Sequence, residues 1–164
     1  MKMKASIVKG LSFGLASGIV TTLGLMVGLY TGTNSKLAVL GGILTIAIAD
    51  AMSDAFGILL SEKSQKEKDH EYIWQASFAT FFAKLIFALT FAVPVLFLEL
   101  GTAILVSIGW GIFLLGIVSI LIAEWRKESV WKTVLEHWGI AVAVITLAYL
   151  AGLGIEKYFG ATCA

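Results

Sequence analysis

A chain of 164 residues that is 59% hydrophobic and 14% charged carries too few polar side chains to cover a water-soluble domain. Its formal net charge of +1 leaves no electrostatic footprint for nucleic acid. The single cysteine, Cys163, excludes an intrachain disulfide, and no Cys/His spacing suits a zinc centre. The implied class is an all-α integral membrane protein, with one transmembrane domain over residues 1–164 and no separate soluble domain or linker.

A hydrocarbon core about 30 Å thick takes roughly 20 apolar residues per helix. The chain supplies such segments about five times, at approximately 9–30, 37–61, 76–98, 102–123 and 133–158. The first follows Met1-Lys2-Met3-Lys4 but is longer than the apolar region of a signal peptide, so it is expected to remain as a helix. Lys2, Lys4 and Lys9 precede the first span, Lys63, Lys66 and Lys68 follow the second, and Arg126, Lys127 and Lys132 follow the fourth. Only Lys36 and Lys157 fall on the other side, so the N-terminus is expected in the cytoplasm and the C-terminus outside or in a lumen. Trp74, Trp125, Trp131 and Trp138 gather near the predicted inner interface. Five helices are few to enclose a polar path, and a homodimer is expected to supply the missing wall.

Along the first span Gly10, Gly14, Ser17, Thr21, Gly24 and Gly28 form a seam without bulk. Such a seam lets another backbone approach closely, and Ser17 and Thr21 add hydroxyl oxygens that would suit a translocation path. On the second span Asp50 and Asp54 lie one turn apart near the membrane centre, roughly 40° and 6 Å from each other. Ala47, Gly57 and Ser61 continue their line, which is expected to face the small seam of the first span. Each intramembrane carboxylate costs about 2.5–3.5 kcal/mol on insertion scales, so the pair demands a cation, a proton or a lysine. Oxygen donors of this kind suit Mn²⁺ or Fe²⁺, and protons compete with metal for the same oxygens. Met52 points about 160–200° away from the pair, and Met26 reads as packing.

Lys84 is the cation within the third span. Its first reading is snorkelling toward the near cytoplasmic face, with an ion pair to a second-span aspartate as the alternative. Pro94 predicts a kink, since it leaves the carbonyl of Thr90 without a donor. Glu136 and His137 open the fifth span, where Glu136 is a candidate for a proton or ion-pair role. The 62–75 connector alternates in sign and reads as a solvated helix end, with Glu62, Glu67, His70 and Glu71 as candidates for weak metal capture.

These residues carry a family likeness. The run Ser17-Gly18-Ile19-Val20-Thr21-Thr22-Leu23-Gly24-Leu25 resembles the first-helix signature of the vacuolar iron transporter family, usually Asp-Gly-Leu-Val-Thr-Thr-Phe-Gly. The stretch from Gly41 through Ala51, Ser53 and Gly57 to Ser61-Glu62-Lys63-Ser64-Gln65 is similar to that family's second helix. Phe91-Ala92-Val93-Pro94 and Val134-Leu135-Glu136 extend the likeness in order along the chain. The resemblance implies five helices, a homodimer, and export of Fe²⁺ or Mn²⁺ from the cytosol in exchange for protons. Asp50 and Asp54 remain the candidate metal ligands, with Ser17, Thr21, Gly24, Ser53 and Gly57 as the candidate lining of the path. Ser17 stands where the family has an aspartate, and Asp54 where it has a methionine. The family's glutamate-rich insert after the second helix is reduced to residues 62–75. Loss of the soft ligand weakens the case for Fe²⁺ and favours Mn²⁺, another ion, or protons alone.

No resident cofactor is expected, since the metal is cargo. An enzyme is disfavoured: the Asp-Gly-x-x-Ala-Arg element of phosphatidyl-alcohol transferases and the Gly-x-Gly-Asp of intramembrane aspartyl proteases are missing, and no nucleophile has its base. The alternatives are a non-transporting membrane subunit, with the aspartates paired to Lys84, or a carrier of another cation.

Overall fold

The computed structural model describes residues 2–65 and 69–159; Glu67 of the capture group and Cys163 lie outside them. It is an all-α bundle of α1 (Lys2–Thr33), α2 (Lys36–Lys63), α3 (His70–Thr90), α4 (Ala92–Phe97), α5 (Leu100–Arg126) and α6 (Val130–Phe159). Helices α3 and α4 form one span, His70–Phe97, giving five segments long and apolar enough to cross a membrane. The chain is a multi-pass membrane protein.

The helices run further than hydropathy suggests, because polar residues at their ends continue the turn. Glu62 and Lys63 belong to α2, and His70 through Gln75 already belong to α3. Two i,i+4 contacts support that early start: Gln75 Nε2 donates to Glu71 Oε1 at 2.8 Å, and Trp74 Nε1 to His70 Nε2 at 3.1 Å. Between α1 and α2 the chain reverses through Asn34 at φ 46°, a left-handed position that asparagine tolerates. Ser35 then caps α2 by accepting from the Ala38 N–H. Lys127 closes α5 at φ 58°, with the Glu128 N–H returning to the Ala123 carbonyl. The third span breaks at Phe91, three residues before Pro94, where the missing proline donor interrupts the ladder.

Helix α1 is the centre of the bundle and touches α2, α3, α5 and α6. Its glycines sort into two lines. Gly10, Gly14 and Gly18 lie against Ala76, Thr80 and Lys84 of α3, while Gly24, Gly28 and Gly32 lie against Val144, Ala148 and Gly152 of α6. A Cβ on Gly10 would come 2.2 Å from the Ala76 carbonyl oxygen, and one on Gly14 2.5 Å from that of Thr80. The glycines of α1 therefore face α3 and α6, not α2 as the sequence spacing suggests.

Helix α2 buries Val39, Ile43, Ala47, Ala51, Ala55, Ile58, Leu59 and Glu62. It exposes Leu44, Ile48, Met52, Phe56 and Leu60, one four-residue stripe suited to lipid. Met52 thus faces away from the aspartates. Leu23, Met26, Ile43, Phe91 and Leu115 belong to the apolar core that joins α1, α2, α4 and α5. Trp74, Trp125, Trp131 and Trp138 occur where α3 and α6 begin and α5 ends, at one end of the bundle, each at least partly exposed.

Candidate functional site: a lysine held by two aspartates

The site is built at mid-helix on three elements. Ser17 of α1, Asp50 and Asp54 of α2, and Lys84 of the α3–α4 span each sit near the middle of their helix. Lys84 Nζ lies 2.6 Å from Asp50 Oδ2 and 2.5 Å from Asp54 Oδ2. It also donates to Ser17 Oγ at 2.9 Å, and Ser17 Oγ donates to Asp54 Oδ2 at 2.6 Å. The Asp50 contact is an ion pair by distance alone, since Asp50 Oδ2 has no hydrogen-bond partner among the described residues. One ammonium thus stands among three oxygens from two helices.

This corrects the snorkelling reading of Lys84. Its side chain is 1% exposed, whereas those of Asp50 and Asp54 are 28% and 20% exposed. Because α3 begins at His70 rather than near residue 76, Lys84 is about 21 Å along the helix from that end, beyond the reach of its four-carbon stem. Gly18 makes the inward course feasible: a Cβ there would lie 3.1 Å from Lys84 Cγ. Buried charge needs a partner and hydrogen bonds, and the aspartates with Ser17 provide both. With both carboxylates ionised the triad has one net negative charge; a single proton on either one neutralises it.

The expected path residues do not stay together. Thr21 gives its hydroxyl to the Ser17 carbonyl at 2.9 Å and lines an apolar groove between α1 and α6 with Gly24. A Cβ on Gly24 would meet Val144 of α6 at 2.7 Å. Ser53 is exposed, as is Gly57, which has no neighbour near its Cβ position. Both lie on the outward face of α2: Ser53 stands two residues, about 160° round the helix, from the buried Ala51 and Ala55, and Gly57 the same from Ala55. Ser17 alone of the path set touches the aspartates.

The capture group is likewise dispersed. Glu62 is fully buried and paired with Lys9, while His70 and Glu71 are exposed at the start of α3. Glu136 is exposed too, 4.0 Å from Lys132 and apart from the triad. His137 Nδ1 is 2.7 Å from Ser119 Oγ of α5. Among the described residues no group of three or more His, Cys, Asp and Glu side chains gathers.

Sequence reasoning missed the cradle formed by Gly18 and the Lys9–Glu62 pair. A signal for Gly18 existed in the strict four-residue spacing Gly10, Gly14, Gly18. Toward the α1 N-terminal end, the seam around the site stays polar: Thr80 Oγ1 donates to the Gly10 carbonyl at 3.2 Å, Ser77 Oγ to that of Ala55 at 2.7 Å, and Ser6 Oγ to Gln75 Oε1 at 2.9 Å. Toward the other end, about 10 Å away along the helices, Leu23, Ile43 and Phe91 are completely buried in the apolar core. No family model and no curated protein matches the chain.

Proposed function

We propose that this protein is a proton-coupled carrier of divalent cations, Mn²⁺ or Fe²⁺, which it exports from the cytosol, with Lys84 as a tethered cation that holds the site between turnovers. The observation that carries this reading is the ammonium of Lys84 at mid-membrane, ringed by Asp50, Asp54 and Ser17 oxygens at 2.5–2.9 Å. A position that stabilises an ammonium among carboxylates also suits a metal ion with oxygen ligands. Metal would bind as Lys84 withdraws, and protons would compete for the same carboxylates.

The resemblance to vacuolar iron transporters supports the same class of activity. The lysine and arginine bias supports a cytoplasmic N-terminus, which would put the polar side of the seam toward the cytosol and the apolar core on the far side. A second copy is proposed to complete the wall of the path.

The same ion pair favours one other reading, a non-transporting membrane subunit in which the triad only fastens α1, α2 and α3. Thermal unfolding of the purified protein separates the two. Mn²⁺ at saturating concentration is expected to raise the melting temperature of the wild type and to leave Asp54→Asn unchanged, because ligand stabilises only the state that binds it. Equal shifts in both would remove the aspartates from the site. No shift with Mn²⁺, Fe²⁺ or another cation would favour the structural subunit.

A further inference from the structure

The buried Glu62, one residue before the end of α2, is a further carboxylate of that helix, and its setting repeats that of the central pair. Lys9 of α1 meets Glu62, as Ser17 of α1 meets Asp54. The eight residues from Lys9 to Ser17 match the eight from Glu62 back to Asp54 on antiparallel α2. Both contacts therefore belong to one helix–helix seam, about 12 Å apart. Between them on α2 stands the buried Ile58.

Two further observations make Glu62 more than a helix-end ion pair. Its side chain is wholly inaccessible, yet Oε2 has no partner among the described residues. A buried carboxylate oxygen without a donor is costly and calls for an explanation, of which a bound ion is one. Its partner is not comparably confined. Lys9 is 42% exposed and lines a cavity with Ser12, Tyr72, Arg126 and His137. On the same cavity Arg126 pairs with the exposed Glu128 at 2.9 Å and His137 with Ser119, so Lys9 is the one whose carboxylate partner is buried.

Resting on the carrier reading, we infer that Glu62 is a second cation station, at the cytosolic mouth of the seam, and that Lys9 is its latch. Lys9 swinging into the cavity uncovers the carboxylate, a divalent cation from the cytosol takes its place, and the cation then passes Ile58 to Asp54 and Asp50. The cation arrives as Lys9 leaves, so the buried carboxylate keeps a positive partner throughout.

The test compares Glu62→Gln with Lys9→Met in oriented proteoliposomes loaded from the cytosolic side with Mn²⁺. A merely structural pair is broken equally by either change, so both variants would then lose flux together. The station instead predicts opposite signs. Glu62→Gln raises the Mn²⁺ KM about tenfold, as for loss of one charged ligand, while Lys9→Met lowers it. Parallel losses, or no change in either, would overturn the inference.

A second measurement does not depend on flux. Carbodiimide labelling of Glu62, read by mass spectrometry on the wild-type protein, is expected to rise in Lys9→Met and to be suppressed by Mn²⁺. If Mn²⁺ fails to protect Glu62, the station is excluded even where the central pair transports. If Mn²⁺ protects Glu62 but no flux occurs, the carrier reading fails and the station stands as a binding site.

Discussion

At the scale of single residues, Lys84 decides how the site is understood. A lysine in an apolar segment has two economical solutions, to reach water or to find carboxylates, and sequence distance from the helix end chooses between them. That distance was illegible in the sequence, because the polar run His70–Gln75 looks like a connector and yet forms the first turns of α3. The aspartates were legible as an unpaired expense at mid-membrane, but their partner was not. Replacing Lys84 by methionine leaves two carboxylates without their cation. Since these are 28% and 20% exposed, the loss is expected at about 3 kcal/mol, the lower end for a broken buried pair. Thermal melts check this, and Mn²⁺ is expected to stabilise Lys84→Met more than wild type, with its internal competitor gone. Failure of Mn²⁺ to stabilise the variant would contradict the tethered-cation role.

At the scale of elements, α1 is organised by glycine spacing. Gly10, Gly14 and Gly18 line up every four residues, as do Gly24, Gly28 and Gly32, and the fourteen residues from Gly10 to Gly24 put the second line about 21 Å further along the helix, within about 40° of the first. Nearly the same side of α1 therefore meets α3 in its first half and α6 in its second. Spacing alone does not say which neighbour each stretch meets, which is why the sequence pointed α1 at α2. Glycine substitutions should separate the positions. Gly14→Ala is expected to destabilise the bundle by about 1–3 kcal/mol through overpacking against Thr80. Gly57→Ala, which meets open space, should leave both stability and metal binding unchanged. Melting curves of the two variants measure the contrast, and equal effects would mean that α1 and α3 do not meet along this line.

At the scale of the whole molecule, the number and order of membrane spans could be read from hydropathy, since length and apolar content suffice for them. The arrangement around α1 could not, because every helix is apolar enough that packing faces depend on small residues rather than on a hydrophobic stripe. The charge bias nevertheless gives a testable orientation. In a Cys163→Ser background, Asn34→Cys is expected to react with a membrane-impermeant maleimide on intact cells. Glu128→Cys, on the opposite end of the bundle, should react only after permeabilisation. The reverse pattern would invert the bundle and with it the proposed cytosolic mouth.

The most direct test of the central claim is Mn²⁺ flux into proteoliposomes that carry an internal pH dye, with wild type and Asp54→Asn run side by side. The carrier account predicts Mn²⁺ entering with protons moving the opposite way in wild type, and neither movement in a folded Asp54→Asn. Mn²⁺ flux that persists in Asp54→Asn, or proceeds without any proton movement, would contradict it.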